Sequence, residues 1–141
     1  MFVSFHHASL SVSDIDKAID FFAQAFGCIL HFKEMGMTEQ IASMLGERDV
    51  CCDIAQLIFP GTLVKLELIS FRLGDKQLNP PRVHLLGSMH IAVKVSNFDD
   101  TIQKLEVLGA TKLGYITNFS DGRAVYLTTP VGVVVELEEM L

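Results

Sequence analysis

The chain says the same thing twice. The stretch "HIAVKVSNFDDTIQKLEVLGA", starting at His90, slides back by 83 places onto "HASLSVSDIDKAIDFFAQAFG", starting at His7. His7 then falls on His90, Val12 on Val95, Ser13 on Ser96, Asp16 on Asp99 and Ile19 on Ile102. A long-period repeat of two copies excludes a solenoid and restricts the fold to two like modules. Each copy opens with an alternating strand, Ala8, Leu10 and Val12 against Ile91, Val93 and Val95, whose dry face must meet a core. Each strand runs into a helix capped at Ser13 and Ser96 or at the residues just after them. Each helix ends near a glycine, Gly27 and Gly109, the residue type that closes helices most easily.

The later halves of the copies also match. "PGTLVKLELIS" (60–70) resembles "VGVVVELEEM" (131–140): a Gly turn, an apolar run, then a glutamate between apolar neighbours. Between helix and final strand, "ILHFKE" and "VCCDIAQLIF" predict two strands in the first copy, with a short helix over "TEQIASML". "TKLGYIT" and "RAVYLTT" predict two in the second. Each module therefore reads βαβββ, an α+β arrangement, with module 1 over about 1–71 and module 2 over about 88–141. The polar segment 72–87, carrying "NPP", reads as the linker within one domain spanning 1–141.

Composition narrows the function. Half of the 141 residues are hydrophobic and 20% are charged, enough for a proper core and against disorder. No apolar run approaches the roughly 18 residues of a membrane helix. The net charge of −6, without a basic patch, argues against a nucleic-acid partner. The three cysteines, Cys28, Cys51 and Cys52, in a chain opening "MFVSFHHASL" without a basic leader, are expected to be reduced thiols of a cytoplasmic protein. "CC" alternates across a strand and reads as packing.

What the repeat retains is chemical. Each module carries a histidine at the start of its first strand, His7 and His90, and a glutamate near the end of its last, Glu67 and Glu136. A carboxylate among apolar strands is costly unless paired or bound to a cation. Two imidazoles and two carboxylates form an N₂O₂ set suited to one divalent ion, with Zn, Ni, Co, Mn and Fe unranked. Such a set leaves room for substrate or water on a five- or six-coordinate ion. His6 becomes the ligand instead of His7 if the first strand slips by one residue. His31 and His84 have no partner in the repeat. Ser11 and Lys94 share the wet faces with His7 and His90 and are candidate cavity residues. Arg123, in "SDGRAVY", is a candidate for binding a substrate carboxylate.

The module order and the quartet His7, Glu67, His90 and Glu136 resemble the vicinal oxygen chelate superfamily, which includes glyoxalase I, methylmalonyl-CoA epimerase, extradiol dioxygenases, and fosfomycin and bleomycin resistance proteins. The resemblance is strongest in "HHASLSVSDIDKAIDFF" and "HIAVKVSNFDD". It implies an eight-stranded, glyoxalase-like cup around a metal held by those four residues, and a homodimer. "TPVGV" (129–133) stands where the family often reads a "DPDGN"-like turn, and epimerases of the family usually carry Gln in place of Glu67. The function the resemblance implies is a divalent-metal-dependent lyase or isomerase of glyoxalase type. It would act on a small molecule with vicinal oxygens through an enediolate, with Glu67 or Glu136 as the proton carrier. The alternatives are an extradiol-type Fe(II) dioxygenase and a bleomycin-resistance-like binding protein without catalysis.

Overall fold

Each copy of the repeat builds a sheet of its own. The computed structural model describes residues 1–72 and 82–141, and the chain divides into two units, Met1–Gln77 and Leu78–Leu141. Most of the expected linker, residues 73–81, lies outside the described residues; of the remainder, residues 82–89 form turns and coil leading into the second sheet.

Unit 1 runs β1 (Ala8–Ser11), α1 (Ile15–Phe26), β2 (Ile29–Met37), α2 (Glu39–Leu45), β3 (Cys52–Ile58) and β4 (Lys65–Phe71). The strand order is β1-β4-β3-β2, with β1 parallel to β4 and the other pairs antiparallel. Ile15, Ala18, Phe21, Phe22 and Ala25 recur at three- and four-residue intervals and give α1 one apolar face. That face packs on β3 and β4, whose inward residues Ala55, Leu57, Leu66 and Leu68 are buried. Asp14 caps the helix, its carboxylate accepting the Lys17 N–H at 3.0 Å. Gly27 ends it in the left-handed region.

β2 is irregular. Its register against β3 shifts between Leu30 and Phe32 and again between Glu34 and Met37. At the second shift Gly36 takes φ 69, a conformation glycine adopts without a Cβ penalty. Its N–H donates to Asp53 Oδ1 at 2.8 Å. Asp53 also accepts from Arg72, at 2.6 Å from Nη2 and 3.1 Å from Nε.

Unit 2 runs β5 (His90–Lys94), α3 (Phe98–Val107), β6 (Thr111–Lys112), β7 (Thr117–Phe119), β8 (Gly122–Thr128) and β9 (Val134–Met140). The order is β5-β9-β8-β6, with β7 also paired to β8. The strand expected over "TKLGYIT" is divided. Leu113 N–H still donates to Tyr126 O at 2.9 Å, but the chain then leaves the ladder at Gly114, which has no side chain to pack. The second sheet therefore has five strands, one more than the four expected, within an α+β fold.

α3 buries Phe98, Ile102 and Leu105 on the side of β9. Its first turn is capped from the sheet, because Glu139 Oε1 accepts the Phe98 N–H at 3.4 Å. The turn before β9 is closed by Thr129, whose hydroxyl donates to Val133 O at 3.0 Å and accepts from Val133 N–H at 3.2 Å. No described helix is long and apolar enough to cross a membrane.

Candidate metal centre

The repeat reaches down to strand register. In unit 1, Ser9 pairs with Glu67 across the parallel β1–β4 ladder. In unit 2, Ala92 pairs with Glu136 across β5–β9. In both cases the histidine, His7 or His90, lies two residues before the glutamate's partner. A two-residue step returns to the same face of a strand, so each histidine and glutamate project together. His7 Nε2 stands 3.4 Å from Glu67 Oε1, and His90 Nε2 stands 3.1 Å from Glu136 Oε2. The glutamate side chains are only 15% and 17% exposed, which makes a cationic or hydrogen-bonding partner necessary.

The spacing suits a metal. Two donors each about 2.0–2.2 Å from one ion, at the angles of tetrahedral or octahedral coordination, lie about 3.0–3.5 Å apart. Imidazole nitrogen and carboxylate oxygen are also the donor types borderline divalent ions take. The structure brings the donors together two at a time, His7 with Glu67 and His90 with Glu136. Among the described residues, no group of three or more His, Cys, Asp or Glu that could hold a metal is present.

Two further residues meet the glutamates. Gln56 lies opposite Glu67 across β3–β4, and its amide donates to Glu67 Oε2 at 3.1 Å. Tyr126 lies directly opposite Glu136 across β8–β9. Burial and the adjacent Glu136 carboxylate push the Tyr126 phenol above its ordinary value. Its ring meets that of His90 edge-on, with centroids 5.1 Å apart. Sequence reasoning passed over both. The available signal is their place in the last hairpin of each module, 11 and 10 residues before the glutamate.

The remaining candidates fall in different places. His6 Nδ1 lies 2.7 Å from His7 Nδ1, while His7 presents Nε2 to Glu67. Ser11 and Lys94 share the faces of His7 and His90 and pair with Ile69 and Glu138. Arg123 does not join them. It is the register partner of Glu139, three residues from Glu136 and so on the opposite face. There it donates to Glu139 at 2.7 Å and to Asp99 at 2.9 Å, and lies over the Phe98 ring at 4.5 Å. Its charge is spent holding α3 to the sheet. His31 and His84 are exposed. Cys28 and Cys52 are buried, Cys51 is half-buried, and all three are free.

A family model described as glyoxalase/bleomycin resistance protein/dioxygenase superfamily matches residues 6–126. The chain belongs to that superfamily. Among its relatives, a 2-epi-5-epi-valiolone epimerase from Actinomyces sp is 29% identical, over 96% of this chain and 78% of that protein. A glyoxalase family protein from Bacillus cereus shares the fold with a TM-score of 0.84 at 23% identity, over 100% of this chain and 96% of that one. The fosfomycin resistance protein FosX from Listeria monocytogenes, solved in complex with Mn(II) and sulfate ion, superposes with a TM-score of 0.62 at 16% identity, over 100% and 95% of the two chains.

Proposed function

We propose that His7, Glu67, His90 and Glu136 together hold one divalent ion, and that the protein is a metal-dependent isomerase of the epimerase kind. Its substrate class is a small molecule with two neighbouring oxygens, one of them a carbonyl. The observation that carries this reading is the His–Glu pair repeated in the same register at donor spacing in both units. When bound, the ion would supply a Lewis acid for charge that develops on the two oxygens.

The chain's own residues handle the proton. Inversion of a carbon requires a proton to leave one face and return to the other. The repeat supplies two carboxylates, one per unit, and each faces a polar side chain directly across its ladder. Gln56 occupies Glu67 Oε2, which leaves Oε1 on the side of His7. Glu136 faces Tyr126 across β8–β9. The likeness to an epimerase along nearly the whole chain favours inversion over the lyase form of the same chemistry. A fourth protein ligand crowds the site that catechol and O₂ would share, which ranks the dioxygenase reading lower.

The test uses protein purified without chelator and loaded in turn with Zn, Ni, Co, Mn and Fe(II). Each form is incubated in deuterated buffer with a panel of 2-hydroxy and 2-oxo carbonyl compounds, cyclic hydroxyketones included. Metal-dependent wash-in of deuterium at the carbon beside the carbonyl, with formation of the epimer and no O₂ uptake, is expected. O₂ consumed in step with turnover would replace this reading with the dioxygenase. Failure to bind any of the ions would replace it with a binding module.

A further inference from the structure

We infer that the proposed ligands are held from behind by three positioning residues that divide the work unequally: His6 holds His7, Gln56 holds Glu67, and Tyr126 holds both His90 and Glu136. The inference rests on the ligand set proposed above and concerns what keeps that set in place.

In unit 1 the work is split. Binding through His7 Nε2 requires the ring proton on Nδ1. That atom lies 2.7 Å from His6 Nδ1, and only one of two facing nitrogens can carry the proton. His7 Nδ1–H then donates, and His6 accepts with its own proton on Nε2. A partner of this kind fixes both tautomer and ring orientation of a ligand histidine. Gln56 does the same for Glu67. Its amide occupies Oε2 at 3.1 Å and leaves Oε1 toward His7.

In unit 2 a single side chain reaches both ligands. Tyr126 faces Glu136 directly across the β8–β9 ladder, and the Tyr126 ring meets the His90 ring at 82°. Gln56 and Tyr126 occupy the same place in the two modules, directly across the ladder from the glutamate. The position is shared and the chemistry differs. An amide can orient only the carboxylate, whereas a phenol brings a ring that also buttresses the imidazole.

The test is Co(II) affinity, read by competition with a chromophoric chelator, together with the visible spectrum of the Co(II) protein. Loss of a ligand's supporting partner typically weakens metal binding about 10- to 100-fold. Gln56→Met, His6→Phe and Tyr126→Phe each remove one supporting polar group and should each weaken Co(II) by about tenfold. Tyr126→Ala also removes the ring and should approach a hundredfold. The Co(II) bands should shift in all four, while the metal-free Gln56→Met, His6→Phe and Tyr126→Phe proteins melt where the wild type does. A purely structural role would lower the melting temperature and leave the spectrum of the folded fraction unchanged. Should Tyr126→Ala not fold, Tyr126→Phe and Gln56→Met decide the matter. Wild-type affinity and spectrum in those two variants overturn this inference and leave the ligand set standing. A wild type that binds no Co(II) overturns both.

Discussion

Ala92 stands opposite Glu136 in the parallel β5–β9 ladder, the relation that Ser9 bears to Glu67 across β1–β4. The glutamates thus hold equivalent stations, and each can be tested against the other. Glu67→Gln and Glu136→Gln keep a neutral oxygen at the proposed metal site and remove the proposed proton carrier. Metal content should be largely retained, while proton exchange beside the substrate carbonyl falls by about 10²–10⁴-fold for the glutamate that carries the proton. Deuterium wash-in followed by NMR measures this. Unchanged exchange in both variants would remove the glutamates from the chemistry.

Asp53 accepts hydrogen bonds from two segments, Arg72 and the turn at Gly36. Its side chain is 11% exposed and that of Arg72 is 51% exposed, so the carboxylate has more to lose. Asp53→Ala should cost about 2–3 kcal/mol, the scale of hydrogen bonds to a charged group that leave a donor stranded. Arg72→Ala should cost less, because Gly36 keeps its acceptor. Urea titrations of the two variants should preserve that order.

Burial pushes the Cys28 thiol up from 9.0 to about 11. Its folded form resists ionisation, so the unfolded chain loses this proton first as pH rises. Stability from Cys28 is intact below pH 9 and is lost between about pH 9 and 11. The full loss is about 2–3 kcal/mol for a shift of this size. Cys28→Ala should flatten that part of the alkaline stability curve. Parallel curves for variant and wild type from pH 8 to 11 would contradict it.

Gly122 pairs with Met140 at the start of β8. A Cβ there would overlap the carbonyl oxygen of Glu139, which belongs to the backbone and cannot swing aside. Gly122→Ala should spread the two strands at a cost of about 1–3 kcal/mol. It should also loosen the Glu139 carboxylate from Arg123 and from the first turn of α3. Hydrogen exchange should show α3 losing protection ahead of β5.

The duplication and the first helix of each module were legible because apolar spacing and closing glycines act locally. The glutamates stood out because a charge between apolar strand residues needs a reason. What escaped depended on cross-strand register. Arg123 reads as a turn residue in one dimension, yet pairing with Glu139 turns it toward α3 and away from Glu136. Gln56 and Tyr126 meet their glutamates only because the turns at 59–64 and 129–133 have the lengths they do. The break at Gly114 escaped because the apolar residues on either side continue a strand-like pattern through it.

β2 ends the strand order of the first sheet and exposes Ile29, Leu30, Phe32 and Met35. A straight apolar edge of that kind would template the strand of another chain and seed aggregation. The two register shifts bend it, and Lys33 and Glu34 set charge beside the apolar residues. The left-handed Gly36, tied down by Asp53, therefore guards colloidal behaviour as well as local geometry. Replacing it with a strand-forming residue such as Val would straighten the edge and put the soluble state at risk before the folded state.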